Sequence, residues 1–182
     1  MSTEKLLDQA SGDLTLHTGR AGVGSKVGHD LTLRVRQWSA RAQVEDDGTV
    51  SRVRLVAVLS SLEVLRGDGG LKALSDKDKA TILGNALETL QAKDFPEVLY
   101  EAGDLTLPAG ESIVQGQVTI AGTTRPLTIE AFVHRNGDDV RVQVRGQILQ
   151  STFGIRPYSG MLGALKVRDL VEIKADLLAV PS

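Results

Sequence analysis

The chain has 182 residues, a hydrophobic fraction of 41% and a net charge of −2, enough for one domain with a sizeable core and too little charge to attract nucleic acid or an anionic membrane. It has no cysteine, which excludes disulfides, thiol catalysis and thiolate metal sites. The first thirty residues hold no apolar run long enough for a signal peptide, and no stretch is long enough to span a bilayer, so the expectation is a soluble cytoplasmic protein without stable membrane insertion.

In chain order, residues 1–12 are polar and are expected to be a flexible terminus, with the folded domain spanning 13–182. Asp13–Thr18 alternates, with Leu14 and Leu16 on one face, and reads as a first strand. Glycine-rich residues 20–28 lead to a long alternating run from Leu31 to Val44. Its phase flips near Arg36-Gln37, the mark of a β-bulge that bends a sheet toward closure. Asp46-Asp47-Gly48 is a turn, residues 50–60 form the next strand, and residues 61–70 read as a loop broken by Gly67, Gly69 and Gly70. Residues 75–92 switch to helical spacing, placing Ile82, Leu83, Ala86, Leu87 and Leu90 on one face. Ser75 with Asp78 three residues later is a helix start, and Gly84 inside it either permits close packing or marks a kink.

Five more alternating runs follow, over 97–107, 112–120, 127–133, 139–149 and 167–178. Gly122-Thr-Thr-Arg-Pro126 joins the second to the third, and Asn136-Gly137-Asp138 joins the third to the fourth as a hairpin turn. Pro126 lacks an N–H and suits a turn or a strand start. The sum is an all-β fold, a barrel or sandwich, taken as a single antiparallel eight-stranded barrel with one inserted α-helix. Such a barrel is filled by its own side chains or holds one small ligand. With only six aromatics in the chain, the lining is aliphatic in either case.

Catalytic templates fail. His17, His29 and His134 have no metal-ligand spacing, and there is no Gly-x-Ser-x-Gly elbow or phosphate-binding glycine loop. Ser2-Thr-Glu-Lys5 fits Ser-x-x-Lys only formally. Gly22-Val-Gly24 lacks a third glycine, and Gly160-Met-Leu-Gly163 sits in the wrong strand-rich context for an RNA clamp.

Several separated segments together resemble the YceI-like family, the polyisoprenoid-binding lipocalin-like proteins. They are Ser25-Lys-Val-Gly-His-Asp-Leu31, Lys77-Asp78 at the helix start, Phe95-Pro96-Glu-Val with Tyr100 near a usual aromatic, the Gly116–Pro126 hairpin, Phe153-Gly-Ile155 and Val167-Arg-Asp169. The Gly116–Pro126 match to Gly-x-Leu-Thr-Ile-x-Gly-x-Thr-Arg-Pro is the closest of these. The resemblance implies an apolar tunnel holding an isoprenoid or similar lipid. It departs from the family at Lys77-Asp78-Lys-Ala-Thr, which lacks the usual histidine, in its longer helix and in having no secretion signal.

The expected lining comprises Ile82, Leu83, Ala86 and Leu87 from the helix, Phe95, and the apolar stretch 151–166 with Phe153, Met161 and Leu162. That stretch either caps the barrel and lines its entrance, with Arg156 and Tyr158 as polar handles, or is a plug that completes the core without a ligand. Trp38, in phase with Ala40 and Ala42, either borders a cavity or fills the gap itself. His29 either meets a ligand head group at the tunnel mouth or bonds to backbone in a turn. Lys77, Asp78 and Lys79 either face a head group or form a solvated first turn. The leading expectation is a non-enzymatic carrier whose ligand is an isoprenoid or fatty-acyl lipid, with no other cofactor or metal and with a homodimer possible. The rivals are a small hydrolase or isomerase using His29 or Lys77/Asp78, and a ligand-free module docking a partner through the 159–165 loop.

Overall fold

The computed structural model describes residues 2–47, 49–137 and 139–179; the turn positions Gly48 and Asp138 lie outside the described residues. The Gly116–Pro126 region sets the pattern. Val114, Val118 and Ile120 on β8 (Gly110–Ile120) and Leu127, Ala131 and Val133 on β9 (Thr123–Asn136) are buried. Alternation puts their polar neighbours outside. The connecting turn is tighter than the sequence suggests. Ala121 (φ 46°) and Gly122 (φ 73°) alone form it, both in the left-handed region that two-residue hairpins require. Residues 123–126 therefore belong to β9, with Pro126 opposite Gln117. Proline is tolerated there because the ladder from β9 to the next strand begins only at Ile129.

The other strands are β1 (Thr3–Asp8), β2 (Gly12–Ala21), β3 (Asp30–Val35), β4 (Trp38–Val44), β5 (Val50–Val58), β6 (Leu62–Asp68), β7 (Glu97–Gly103), β10 (Asp139–Leu149), β11 (Ser159–Gly160) and β12 (Leu165–Ala179). The helix α1 spans Asp76–Thr89, between β6 and β7. The strands form one antiparallel sheet in the order β1-β4-β5-β7-β8-β9-β10-β12-β2-β3-β6, with β11 paired to β12. The described residues thus hold twelve strands rather than eight, yet the barrel has eight staves. β3 and β4 are one stave bent at Arg36-Gln37, and β5 and β6 are another bent at Leu59–Ser61. β3 pairs with β6 and β4 with β5, so the two bends face each other. The ring closes through these corners: β2 pairs with β3, and β5 pairs with β7.

The phase flip at Arg36-Gln37 is accordingly a corner and not a bulge. Val58 N–H donates to Gln37 O at 3.0 Å and Arg36 N–H to Ser61 O at 3.1 Å, which satisfies the backbone at the bend. Residues 62–68 form a strand rather than a loop, because Leu62 and Val64 alternate into the core. The expected flexible terminus is corrected too. β1 pairs with β4 from Thr3↔Val44 to Asp8↔Ser39, along the edge that β4 exposes once its stave has turned away from β2.

At the corner β6 leaves the ring, and α1 packs over the opening. Leu83, Leu87 and Leu90 meet the core of Leu33, Val35, Trp38, Leu59 and Leu62. Ser75 caps the helix in a reciprocal box: its Oγ accepts from Asp78 N–H at 3.2 Å, and Asp78 Oδ2 accepts from Ser75 N–H at 2.9 Å. Gly84 lies on the exposed face, and a Cβ there would meet nothing within 4 Å, so it serves no close packing. No helix is long and apolar enough to cross a membrane among the described residues.

Candidate functional site

Inward-facing residues of every stave enclose a cavity of about 600 Å³. It runs from Arg20, His29, Tyr158 and Lys166 at one end to Lys5, Val50, Leu107 and Arg135 at the other. Between the ends the wall is Leu, Val, Ile and Ala with few polar interruptions, among them Leu16, Leu33, Leu55, Ile129 and Ile173. Its four permanently charged residues, Lys5, Arg20, Arg135 and Lys166, stand at those two ends. The lining residues of β10 run from Val140 to Ile148, a span of about 26 Å along the strand at about 3.3 Å per residue. An apolar chain fits such a shape, and a charged group inside it would lose its hydration.

The structure brings together four of the expected lining residues: His29, Ile82, Ala86 and Tyr158. It does not place the other eight on the cavity. Leu83 and Leu87 turn to the flank of the helix and pack on the wall's core. Trp38 is 3% exposed and belongs to that same core, together with Ala40. Phe153 is buried with Ile155 against Val118, Ile120 and Leu127, in the plug under a 3-10 turn. Phe95 lies over the Ala121-Gly122 turn, so close that a Cβ on Gly122 would sit 2.6 Å from its ring. Arg156 is exposed, as are Met161 and Leu162, which point into solvent rather than into the barrel.

On α1 the face toward the cavity is Ile82, Asn85, Ala86, Thr89 and Leu90. That spacing is the helical i, i+3, i+4, i+7, i+8 stripe. Choosing apolar residues alone overlooked its polar members Asn85 and Thr89. Besides Thr18 and Gln150, Tyr100 is a further polar group on the wall. Its Oη is buried without a hydrogen-bond partner, as is Thr18 Oγ1. Burial pushes the Tyr100 phenol up to about 12. The ring fits because position 116 is glycine: a Cβ there would lie 2.5 Å from Tyr100 Oη and 2.6 Å from Glu101 O.

The motif residues mostly build scaffold. Asp169 accepts from Ser151 N–H at 2.7 Å and from the Ser151 hydroxyl, and Gln150 Nε2 donates to Arg168 O at 2.9 Å, fixing the plug to β12. Arg125 Nε donates to Thr152 O at 3.2 Å, tying the hairpin to the same plug. His29 Nε2 lies 2.8 Å from Lys72 O, so the ring bridges two loops at the mouth while touching the cavity. Asp78 is engaged in the helix cap, and the Ser75 hydrogen bond holds its carboxyl below the usual range. Ser2 Oγ accepts from Gln43 Nε2 at 2.7 Å, a contact between β4 and the residue preceding β1 rather than a catalytic pair.

Other shifted groups stand on the outer wall. Arg141 holds the Asp176 carboxyl low through hydrogen bonds of 2.8 and 2.6 Å. Burial, then Lys174, lowers His17, which lies 3.0 Å from Thr15 Oγ1. No group of three or more potential metal ligands occurs among the described residues.

A family model described as YceI-like domain matches residues 6–179. None of the curated proteins matches the sequence at a significant level. Among solved structures, Burkholderia cenocepacia BcnA superposes with a TM-score of 0.67 at 16% identity, covering 93% of this chain and 96% of its own. A Campylobacter jejuni YCEI protein superposes with a TM-score of 0.61 at 13% identity, covering 82% of this chain and 84% of its own. A mutant of it with a monobromobimane guest gives a TM-score of 0.63 at 12% identity over the same shares.

Proposed function

The chain belongs to the YceI-like domain family, and on that premise we propose that it binds and carries a long apolar lipid, an isoprenoid or fatty-acyl chain, inside the barrel without chemically altering it. The observation that carries this reading is the continuous aliphatic cavity of about 600 Å³ with its permanent charges confined to the two ends. At about 30 Å³ per water-sized group, the space takes about 20 such groups, the scale of a four-unit prenyl or long acyl chain. Burying each CH₂ is worth about 0.8 kcal/mol, so a chain of about 20 carbons gains on the order of 16 kcal/mol before association costs of about 4–15 kcal/mol. Asn85, Thr89 and the groups at the cavity ends are the polar contacts available to orient it.

Hydrolysis or isomerisation has no comparable support. The one cavity group with a shifted ionisation is Tyr100, raised by burial with no base beside it. Native mass spectrometry of gently purified protein, followed by solvent extraction, tests the carrier reading. A stoichiometric adduct that extracts as a prenyl or acyl chain is expected. An apo mass that persists after incubation with prenyl quinones and fatty acids would overturn it.

A further inference from the structure

Three loops meet at the cavity end occupied by Arg20 and Lys166. Gly24 N–H donates to Ala164 O at 2.8 Å, joining the 22–28 loop to the 161–164 turn. His29 joins the 69–72 loop to the same rim through Lys72 O, and a Cβ on Gly70 would lie 2.4 Å from its ring. Val27, Tyr158 and Leu165 of this rim line the cavity, yet four other apolar side chains point outward. Val23 is 94% exposed, Leu71 80%, Met161 65% and Leu162 110%. Single exposed apolar residues are ordinary, but several gathered around one opening mark an interaction surface.

The backbone is committed to this arrangement. Met161 (φ 49°) and Leu162 (φ 54°) both adopt the left-handed conformation that side-chain-bearing residues seldom take. The rim's charge differs from the chain's. Segments 20–30, 66–72 and 156–169 hold seven Lys and Arg against Asp30, Asp68 and Asp169, and Lys72 pairs with Asp78, which leaves an excess of three on a chain of net charge −2. Lys26 and Lys166 have no ion pair among the described residues.

From this combination we propose that the rim docks peripherally on an anionic lipid bilayer. Val23, Leu71, Met161 and Leu162 enter the boundary between headgroups and acyl chains, while Lys26 and Lys166 face the headgroups. Apolar tips with flanking basic residues are the chemistry of such interfacial binding. Because Arg20, His29, Tyr158 and Lys166 of this rim also line the cavity, a guest passes between bilayer and barrel without crossing water. The proposal rests on the carrier reading for its purpose, but its surface chemistry stands on the rim alone.

Vesicle co-sedimentation tests it, using phosphatidylcholine alone against phosphatidylcholine mixed with phosphatidylglycerol. Wild type is expected to partition onto the mixed vesicles and to be released by salt. Lys26→Ala lowers the partition coefficient about fivefold, and Met161→Ser with Leu162→Ser lowers it at least about tenfold. None of these side chains lines the cavity, so guest content measured without vesicles stays at the wild-type level. Wild type remaining in the supernatant with both vesicle types overturns the proposal, as does undiminished binding by the double variant. A double variant that instead changes the protein's own oligomeric state, with vesicles ignored, assigns the rim to a second copy and also overturns it. Guest uptake without vesicle binding refutes docking alone, whereas vesicle binding without any guest refutes the carrier.

Discussion

Tyr100→Phe removes one atom from a position where it does nothing the structure can identify. The Tyr100 Oη is buried and unpartnered, tucked against Gly116. An unsatisfied buried hydroxyl costs about 1–3 kcal/mol, and phenylalanine keeps the ring in the same space. The variant is therefore expected to be more stable by about 1 kcal/mol or more, which for a chain of this size raises Tm by about 2–4 °C per kcal/mol. The pH dependence follows from the raised phenol. Its neutral form is favoured in the folded state, so its stabilisation is complete below the ordinary value of 10 and is lost as pH rises through about 12. Tyr100→Phe should therefore flatten the alkaline limb of stability against pH.

Gly116→Ala provides the complement: the new Cβ collides with Tyr100 Oη and Glu101 O, so the protein is destabilised. Combining it with Tyr100→Phe relieves only the first collision and recovers part of the loss, as a double-mutant cycle reads directly. Chemical denaturation monitored by far-UV circular dichroism measures all four proteins. A loss of stability in Tyr100→Phe would mean the hydroxyl has a partner, and the reasoning would fail.

Gly84→Ala fills open space on the exposed face of a helix and is expected to stabilise by about 1 kcal/mol; an unchanged denaturation midpoint would contradict this. Trp38→Ala should cost about 3–5 kcal/mol while the folded fraction retains its guest, since the indole belongs to the corner core; guest loss at full stability would instead make it a lining residue. Ala175→Phe projects a ring into the cavity, where about six carbons at about 30 Å³ each remove roughly a third of the space; extracted lipid per protein should fall, and unchanged loading would place the guest elsewhere. His17 has a lowered folded value, so its neutral form is favoured: its contribution is present above the ordinary 6.5 and lost as pH falls through the folded value. His17→Gln should reduce the slope of stability against pH just below 6.5, and an unaltered profile would show that another group dominates.

The barrel was legible because one-sided burial writes a period of two into each stave. Corners were harder to read. Leu31–Val44 is continuous in sequence and one stave in space, but the bend at Arg36-Gln37 ends its pairing with β2 and hands that edge to β1, and the same flip of phase marks either a bulge or a corner. Residues 62–68 were hidden by Gly67 and by an irregular register against β3. β1 was hidden by polar composition, since its stability comes from backbone pairing with an edge, which hydropathy does not record.

In the site, the helix was read correctly as amphipathic, but Asn85 and Thr89 were overlooked and Leu83 and Leu87 overassigned. Hydropathy does not separate residues facing a core from residues facing a cavity. For the same reason Met161 and Leu162 were expected inside: an apolar residue in a loop is assumed to seek burial, and here the backbone aims it at solvent. Net charge does not report on the rim, because −2 over the chain averages away a local excess of Lys and Arg.

Aromatic placement explains why the lumen remains open. An eight-stave barrel is only just wide enough to hold something besides its own side chains, so a few large rings inside would fill it. The chain has six aromatics, and only Tyr100 and Tyr158 reach the cavity wall. Trp38 is used at the bend between β3 and β4, Phe153 in the plug and Phe95 over the hairpin turn. Phe132 stacks edge-on with His134, their centroids 4.5 Å apart, on the outer face. Tyr100 avoids the lumen in part by leaning into the gap at Gly116. The interior is left largely to Ala, Val, Leu and Ile, which leave the cavity of about 600 Å³ between them. Solvation acts against leaving that space filled with water, because the lining offers it few polar partners. A barrel so built is better satisfied by a hydrocarbon than by solvent, and this physical asymmetry, more than any single residue, is the ground for the apolar guest proposed above.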